Sequence, residues 1–247
     1  MIKSIQLNAD IGEGHHTEAM LMPNLSYCNI ACGGHYGDVR SMQEAIRLAV
    51  VHKVHIGAHP SYPDEENFGR ISMDLSLEEF EKTIQKQLTE FRNLCNNLDA
   101  QVYHVKAHGA LYHDLVTNSL LRAKYLDVVY KVLGKVKVFL PVHVKAKELE
   151  LDLDESMVIY EAFGDRRYDD KLNLLSRHEP NSVLNNLQEI EEQIYRLICK
   201  AQIVSDTGTT HSVRFDTICL HGDHPELKRY FPYLIQNLKA KGVMLCD

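Results

Sequence analysis

The run His104-Val105-Lys106-Ala107-His108 carries three titratable side chains at a spacing of two. In extended chain, alternate residues point to the same face, so two imidazoles and one ammonium share a side of an otherwise apolar strand. Burying that face in an ordinary core would strip polar groups of water at a cost of several kcal/mol. Similar groups stand at the ends of other apolar runs. Asn8 and Asp10 are two apart, with Glu13 just after Gly12. Asn29 precedes the turn Cys32-Gly33-Gly34-His35. His59-Pro60 closes a third run, Glu161 lies just before Asp165-Arg166, and His221-Gly222-Asp223 closes the last.

Acids, imidazoles and cations in one place suit general acid–base work on a polar substrate with an anionic group. A carboxylate or imidazole activates water, and a cation anchors the substrate or a developing oxyanion. The candidates for the chemistry are Asp10, His59, Lys106, His108 and His221. Those for substrate binding are Glu13, Asn29, His35, Glu161, Asp165, Arg166 and Asp223. Asp10, His59 and His108 are also of the types that hold a divalent metal, and hydrolytic zinc sites use three protein ligands plus water. No H-E-x-x-H helix supplies such ligands, so they would have to meet from separate strands. The chain has no G-x-S-x-G nucleophile elbow, no P-loop and no G-x-G-x-x-G opening a helix, hence no recognisable site of its own for ATP or a dinucleotide.

The elements that must position these residues alternate. Strand patterns fall at Ile5–Asp10, Tyr27–Cys32, Val54–His59, Val102–His108, Val136–Val142, Met157–Phe163 and Thr217–His221. Helical periodicity fills the intervals, as in Met42–Val51, Leu77–Leu94 and Val183–Ile198. Ser76 followed by Glu79 is a capping box for the second of these. Pro225 marks the first turn of a last helix, and Gly242 its stop. Repeated β-then-α units in 247 residues predict a parallel sheet within a single domain spanning residues 1–247. An open sheet gathers its site at one switch point, whereas a closed barrel brings every strand end to one mouth. Polar endings on at least six strands therefore predict an α/β fold of the TIM-like (β/α) barrel type, with seven or eight parallel strands.

The net charge of −7 and the scattered basic residues argue against nucleic acid as a partner, since phosphate backbones need a basic surface. No apolar run approaches the roughly 20 residues that span a bilayer, and the start, MIKSIQLNAD, lacks the pattern of a signal peptide. A cytoplasmic location is expected. The six cysteines (Cys28, Cys32, Cys95, Cys199, Cys219, Cys246) read as reduced thiols inside apolar segments.

At these same residues the chain resembles the LamB/YcsF family. The resemblance runs in order through Leu7–Glu13, Asn29–Asp38, Ile56–Asp64, Phe68-Gly69-Arg70, His104–Tyr112, Glu161–Arg166 and Thr217–Asp223. It implies a barrel related to glycoside hydrolase and deacetylase barrels, and a part in the ATP-dependent opening of 5-oxoproline to glutamate. ATP would be handled by two further 5-oxoprolinase subunits, similar to allophanate-hydrolase-type proteins. The resemblance carries over Asp10, Glu13, His35, His59, Lys106, His108, Asp165, Arg166, His221 and Asp223 as site residues. Three places depart from the family pattern: Ala107 stands where proline is usual, Tyr36 is larger than the usual residue and is expected to narrow the mouth, and the Val136–Lys147 stretch, with Pro141-Val142-His143, is unlike the usual small-residue segment. Two alternatives stay open, a metal-dependent amide or ester hydrolase acting alone, and a non-catalytic subunit that positions substrate for its partners.

Overall fold

The structure, a computed structural model, describes residues 3–149, 154–177 and 179–245. In chain order its strands and α-helices are β1 (Lys3–Ile11), α1 (Glu18–Leu21), β2 (Tyr27–Ala31), α2 (Val39–His52), β3 (His55–His59), α3 (Leu77–Asn97), β4 (Val102–Val105), α4 (Gly109–Thr117), α5 (Ser119–Leu133), β5 (Lys137–Pro141), β6 (Val158–Phe163), α6 (Leu187–Lys200), β7 (Gln202–Val204), β8 (Thr210–Ser212), β9 (Thr217–Cys219), α7 (Leu227–Ala240) and β10 (Val243–Leu245). Strands β1 to β6 pair parallel in sequence order, and β9 follows β6. The barrel closes where Gln6–Asn8 of β1 pair with Thr217–Cys219 of β9. Seven strands therefore make the ring, and β10 runs alongside only Lys3–Ile5 of β1.

Local sequence accounts for these elements. Ser76 accepts from the Glu79 amide while the Glu79 carboxylate accepts from the Ser76 amide, so α3 starts where its capping box lies. Asp38 and Ser41 form the same reciprocal pair at the start of α2. Phe80, Ile84, Leu88, Phe91 and Cys95 give α3 one buried stripe. Gly242, at φ 76°, follows the end of α7 as expected of a helix stop. Pro225 stands just outside that helix, before the N-cap Glu226, and not within its first turn. Helix α6 starts four residues later than its apolar pattern, because Val183 is drawn into an antiparallel bridge with Arg166. The β7–β8 hairpin, a separate two-stranded sheet, is not foreseen by the strand pattern.

The barrel interior changes character along its axis. Tyr27, Phe139 and Ile159 form a small apolar cluster apart from the large core between strands and helices. Two residues further along two of these strands come Asn29 and Glu161, on the same face by strand alternation. The interior thus turns polar toward the strands' C-terminal ends. Strand β4 is assigned only to Val105, but pairing with β3 continues beyond it: the Lys106 amide donates to Ala58 O at 3.0 Å and the His108 amide to Pro60 O at 2.9 Å. That continued ladder keeps His104, Lys106 and His108 on one face, as their spacing predicts. Gly57 makes room for the first of them, since a Cβ there would lie 2.0 Å from His104 Nε2.

Cys28, Cys32, Cys95 and Cys219 are buried thiols and Cys199 is partly buried; Cys246 lies outside the described residues. Among the described residues no helix is long and apolar enough to cross a membrane.

Candidate active site

The polar interior is built in three tiers. In the lowest, the Asn29 amide donates to Asn8 Oδ1 at 2.9 Å, His104 Nε2 lies 2.7 Å from Asn29 Oδ1, and Asn8 in turn donates to Thr217. In the middle tier Lys106 Nζ reaches Asp10 Oδ1 at 3.0 Å and Glu161 Oε1 at 2.9 Å, with Asn29 also donating to Asp10 Oδ1 at 2.9 Å. All three charged groups are buried. Burial alone would push Asp10 up and Lys106 down. The neighbouring His59 and the Lys106 charge instead hold the Asp10 carboxyl well below its usual range, and Asp10 and Glu161 hold the ammonium well above its own. Asp10 and Lys106 are thus an ionised pair, with Glu161 against the same ammonium.

The upper tier holds three imidazoles and Glu13. His35 Nε2 is 2.8 Å from Glu13 Oε1, His108 Nδ1 is 3.3 Å from the same oxygen, and His59 Nε2 is 3.9 Å from it. His59 Nε2 lies 3.0 Å from His108 Nδ1 and 3.4 Å from Asp10 Oδ2. The His35 and His108 rings stack at 3.5 Å, nearly parallel. Burial, reinforced by the neighbouring imidazole, lowers His35 to about 3, so at neutral pH it is uncharged and donates Nε2–H to Glu13. Burial works against ionisation of Glu13 as well, but its contacts with His108 and His35 keep its carboxyl well below the usual range.

Above these tiers opens a cavity of about 480 Å³. Asp10, Glu13, His59, Lys106 and His108 line one side. Arg70, Arg166, Arg177, His221 and Asp223 line the other, under the connection 164–186. His221 Nδ1 is 2.8 Å from Asp165 Oδ1, and its amide donates to Asp165 Oδ2 at 2.8 Å. Arg177 forks onto Asp223 at 2.9 and 3.2 Å, and Arg70 bonds the same carboxylate. Arg166 donates to the carbonyls of Ser182 and Leu175, and among the described residues it has no carboxylate within 4.0 Å. Burial, with Arg177 nearby, pulls its guanidinium down to about 10. Glu13, His35, His59 and His108 form a group that could hold a metal ion, as do Asp10, Cys219 and His221.

Every residue named for chemistry or substrate binding therefore lies in or directly beneath one cavity. Asp10, Glu13, His59, Lys106, His108, Arg166, His221 and Asp223 line it, while Asn29, His35, Glu161 and Asp165 are buried behind those residues and hold them. Tyr36 does not narrow the mouth: it is 42% exposed, absent from the cavity wall and packed over Gly14. Arg70 stands in the sequence reading only as part of a motif, with no role assigned, and Arg177 escapes it. Arg70 ends a Phe68-Gly69-Arg70 turn whose glycine was the visible signal, and Arg177 sits in a segment with neither helical nor strand periodicity.

The LamB/YcsF family model matches residues 5–247. This chain belongs to the LamB/YcsF family. Among its relatives, the 5-oxoprolinase A subunit of Haemophilus influenzae (strain PittEE) is 34% identical over 247 residues, 99% of each chain. The 5-oxoprolinase A subunit of Vibrio cholerae serotype O1 is 36% identical over 236 residues, covering 90% of this chain and 93% of that one. In solved structures, the LamB/YcsF fold seen here superposes on the lactam utilization protein from Thermus thermophilus with a TM-score of 0.82 at 28% identity, over 98% of both chains. A family 4 carbohydrate esterase from Streptomyces lividans matches at a TM-score of 0.51 and 12% identity, covering 99% of this chain and 92% of that one; at that identity the likeness is one of fold.

Proposed function

We propose that this chain opens the ring of 5-oxo-L-proline, or of the form its partners activate, to give L-glutamate within an ATP-hydrolysing complex. The observation that carries this is one cavity with buried acid–base groups on one wall and arginines on the other. The relatives named as the A subunit of 5-oxoprolinase supply the substrate and, because they are named as one subunit among others, the partners. The chain's lack of a P-loop agrees with ATP being handled by two allophanate-hydrolase-like subunits. Such a complex works in the cytoplasm, where thiols such as Cys28 and Cys32 stay reduced.

In this reading, Asp10 takes a proton from the attacking water. The hydroxyl adds to the ring carbonyl carbon, the carbon–nitrogen bond breaks, and His221 returns a proton to the departing nitrogen. His221 suits that role better than His108, because Asp165 fixes its Nδ1 and leaves Nε2 to act, whereas His108 has both nitrogens engaged. Lys106 is neutralised by Asp10 and Glu161, so it orients the base, while Arg166, aided by Arg70 and Arg177, holds the substrate's anionic group. Glu13, Asn29, His35, Glu161, Asp165 and Asp223 act by positioning these groups.

The test is 5-oxoproline-dependent ATP hydrolysis by the partner subunits with this chain added or omitted. Turnover to glutamate is expected only when it is present. Full turnover by the partners alone would overturn the reading and leave a substrate-positioning role at most. The upper-tier cluster favours one second reading, a metal-dependent amide or ester hydrolase acting alone. That reading requires chelator-sensitive hydrolysis without ATP or partners.

A further inference from the structure

In the upper tier, hydrogen-bond chemistry decides which nitrogens carry protons. A carbonyl oxygen can only accept. His59 Nδ1, 2.8 Å from Lys106 O, is therefore a donor, and so is His108 Nε2, 2.9 Å from Phe68 O. In the neutral rings the other two nitrogens, His59 Nε2 and His108 Nδ1, bear lone pairs, yet they face each other at 3.0 Å. The Glu13 carboxylate oxygen joins them at 3.3 and 3.9 Å. Three electron pairs converge on one point, which is repulsive unless something positive sits among them.

We infer that His59, His108 and Glu13 are the protein ligands of a divalent first-row transition-metal ion, zinc by donor type, bound at the floor of the cavity. Two imidazoles and a carboxylate are a zinc donor set that leaves one position open, as catalytic sites do. Ligands about 2.0–2.1 Å from a tetrahedral zinc stand roughly 3.3–3.4 Å apart. The three separations here, 3.0, 3.3 and 3.9 Å, bracket that figure. The supporting contacts are also those of a metal site. Backbone carbonyls hold the far nitrogen of each histidine, and His35 Nε2–H steers the Glu13 oxygen as a positioning residue. Gly69, at φ 62°, clamps the rings from outside: a Cβ there would be 2.9 Å from His35 Cβ and 3.1 Å from His108 Cδ2. Glu13, His59 and His108 line the cavity and His35 does not, so the open position looks into the cavity. An ion there supplies an acidified water and a Lewis acid beside Asp10.

The other candidate cluster, Asp10 with Cys219 and His221, is a poorer host. Lys106 Nζ lies 3.0 Å from Asp10 and 3.3 Å from Cys219 Sγ, placing a positive charge where the ion would go. The metal inference goes beyond the lactam reading and does not rest on it.

The experiment is zinc titration of the isolated full-length chain, stripped with chelator, by calorimetry, together with the absorption spectrum of its cobalt form. The wild type is expected to take up one zinc per chain. H59Q and H108Q should each weaken binding beyond the roughly 10–100-fold that loss of a supporting residue costs, and H35N should fall within that range. C219S should bind as the wild type does, and the cobalt form should show intense low-coordination bands with no thiolate charge-transfer band. Absence of zinc uptake by folded wild type, unchanged affinity in the H59Q/H108Q pair, or a thiolate band would each overturn the inference. If a histidine variant does not fold, wild-type stoichiometry and the cobalt spectrum decide alone. Failure here leaves the ATP-coupled assay untouched, and the converse also holds.

Discussion

On the β1–β4 side of the cavity each buried carboxyl has an ammonium or imidazole against it, whereas on the side of the 164–186 connection the guanidiniums outnumber their carboxylate. Lys106 holds both Asp10 and Glu161, and Glu13 accepts from His35, all on or directly after barrel strands. Opposite them, Arg70 and Arg177 share the carboxylate of Asp223, while Arg166 rests on carbonyls. Matched, buried charge on rigid strands preorganises reacting groups. Unmatched guanidiniums on connecting segments leave positive charge for an anionic ligand. The difference assigns chemistry to one wall and substrate capture to the other, and substitutions on each wall separate the two.

The largest effect is expected at Lys106. K106A leaves Asp10 and Glu161 facing each other without a cation, and removing one partner of a buried ion network costs about 3–5 kcal/mol. Denaturant unfolding should register that loss, and adding E161Q should restore part of it. A K106A/E161Q pair no more stable than K106A would mean that the triad is not the source.

On the facing wall, R166Q should cost about 1.5–3 kcal/mol of substrate binding, the worth of a hydrogen bond to a charged group. The readout is KM in the reconstituted complex, with folding stability changed less than in K106A. Equal destabilisation by the two variants would erase the contrast between the walls.

Much of the histidine wall was legible in the sequence because strand alternation turns spacing into direction. His104, Lys106 and His108 stand two apart, and Asn8 and Asp10 do the same, so a barrel makes them meet. The arginine wall was legible only in part. Arg166 and Asp223 follow strand ends, but Arg177 reaches Asp223 because Arg166–Val183 and Tyr168–Leu174 bridges fold the 164–186 connection over the mouth. Such bridges join single residues and leave no periodic trace. The β7–β8 hairpin was hidden for a related reason: three-residue strands are too short for alternation to register. The early end of β4 is likewise invisible, since backbone pairing and not side-chain pattern sets it.

A smaller effect, again on the matched side, concerns pH. His35 is lowered to about 3, mainly by burial, and burial likewise places His104 well below its ordinary value. Because the folded values lie below the unfolded value near 6.5, unfolding takes up protons. Stability is complete above about pH 6.5 and is lost as pH falls from there toward the folded values, by up to about 1.4 kcal/mol per pH unit per imidazole. Urea titrations of metal-free protein at about pH 7.5 and about pH 5 should show this, and H104N should flatten the slope. A wild-type slope of zero would mean that these imidazoles are protonated when folded.

The smallest effect is expected from D223N. Removing the carboxylate that holds Arg70 and Arg177 loosens their orientation while adding positive charge to their wall, so KM should rise slightly while turnover holds. A fall in KM would show that Asp223 only balances the arginines' charge and does not orient them.

The most direct test of the two-wall account is steady-state kinetics of 5-oxoproline turnover in the reconstituted complex, with kcat and KM measured separately for D10N and R166Q. The account predicts that D10N, which removes the base, abolishes kcat and leaves any residual KM near that of the wild type, while R166Q raises KM at least about tenfold with kcat little changed. Both variants moving the same parameter by similar factors would contradict it.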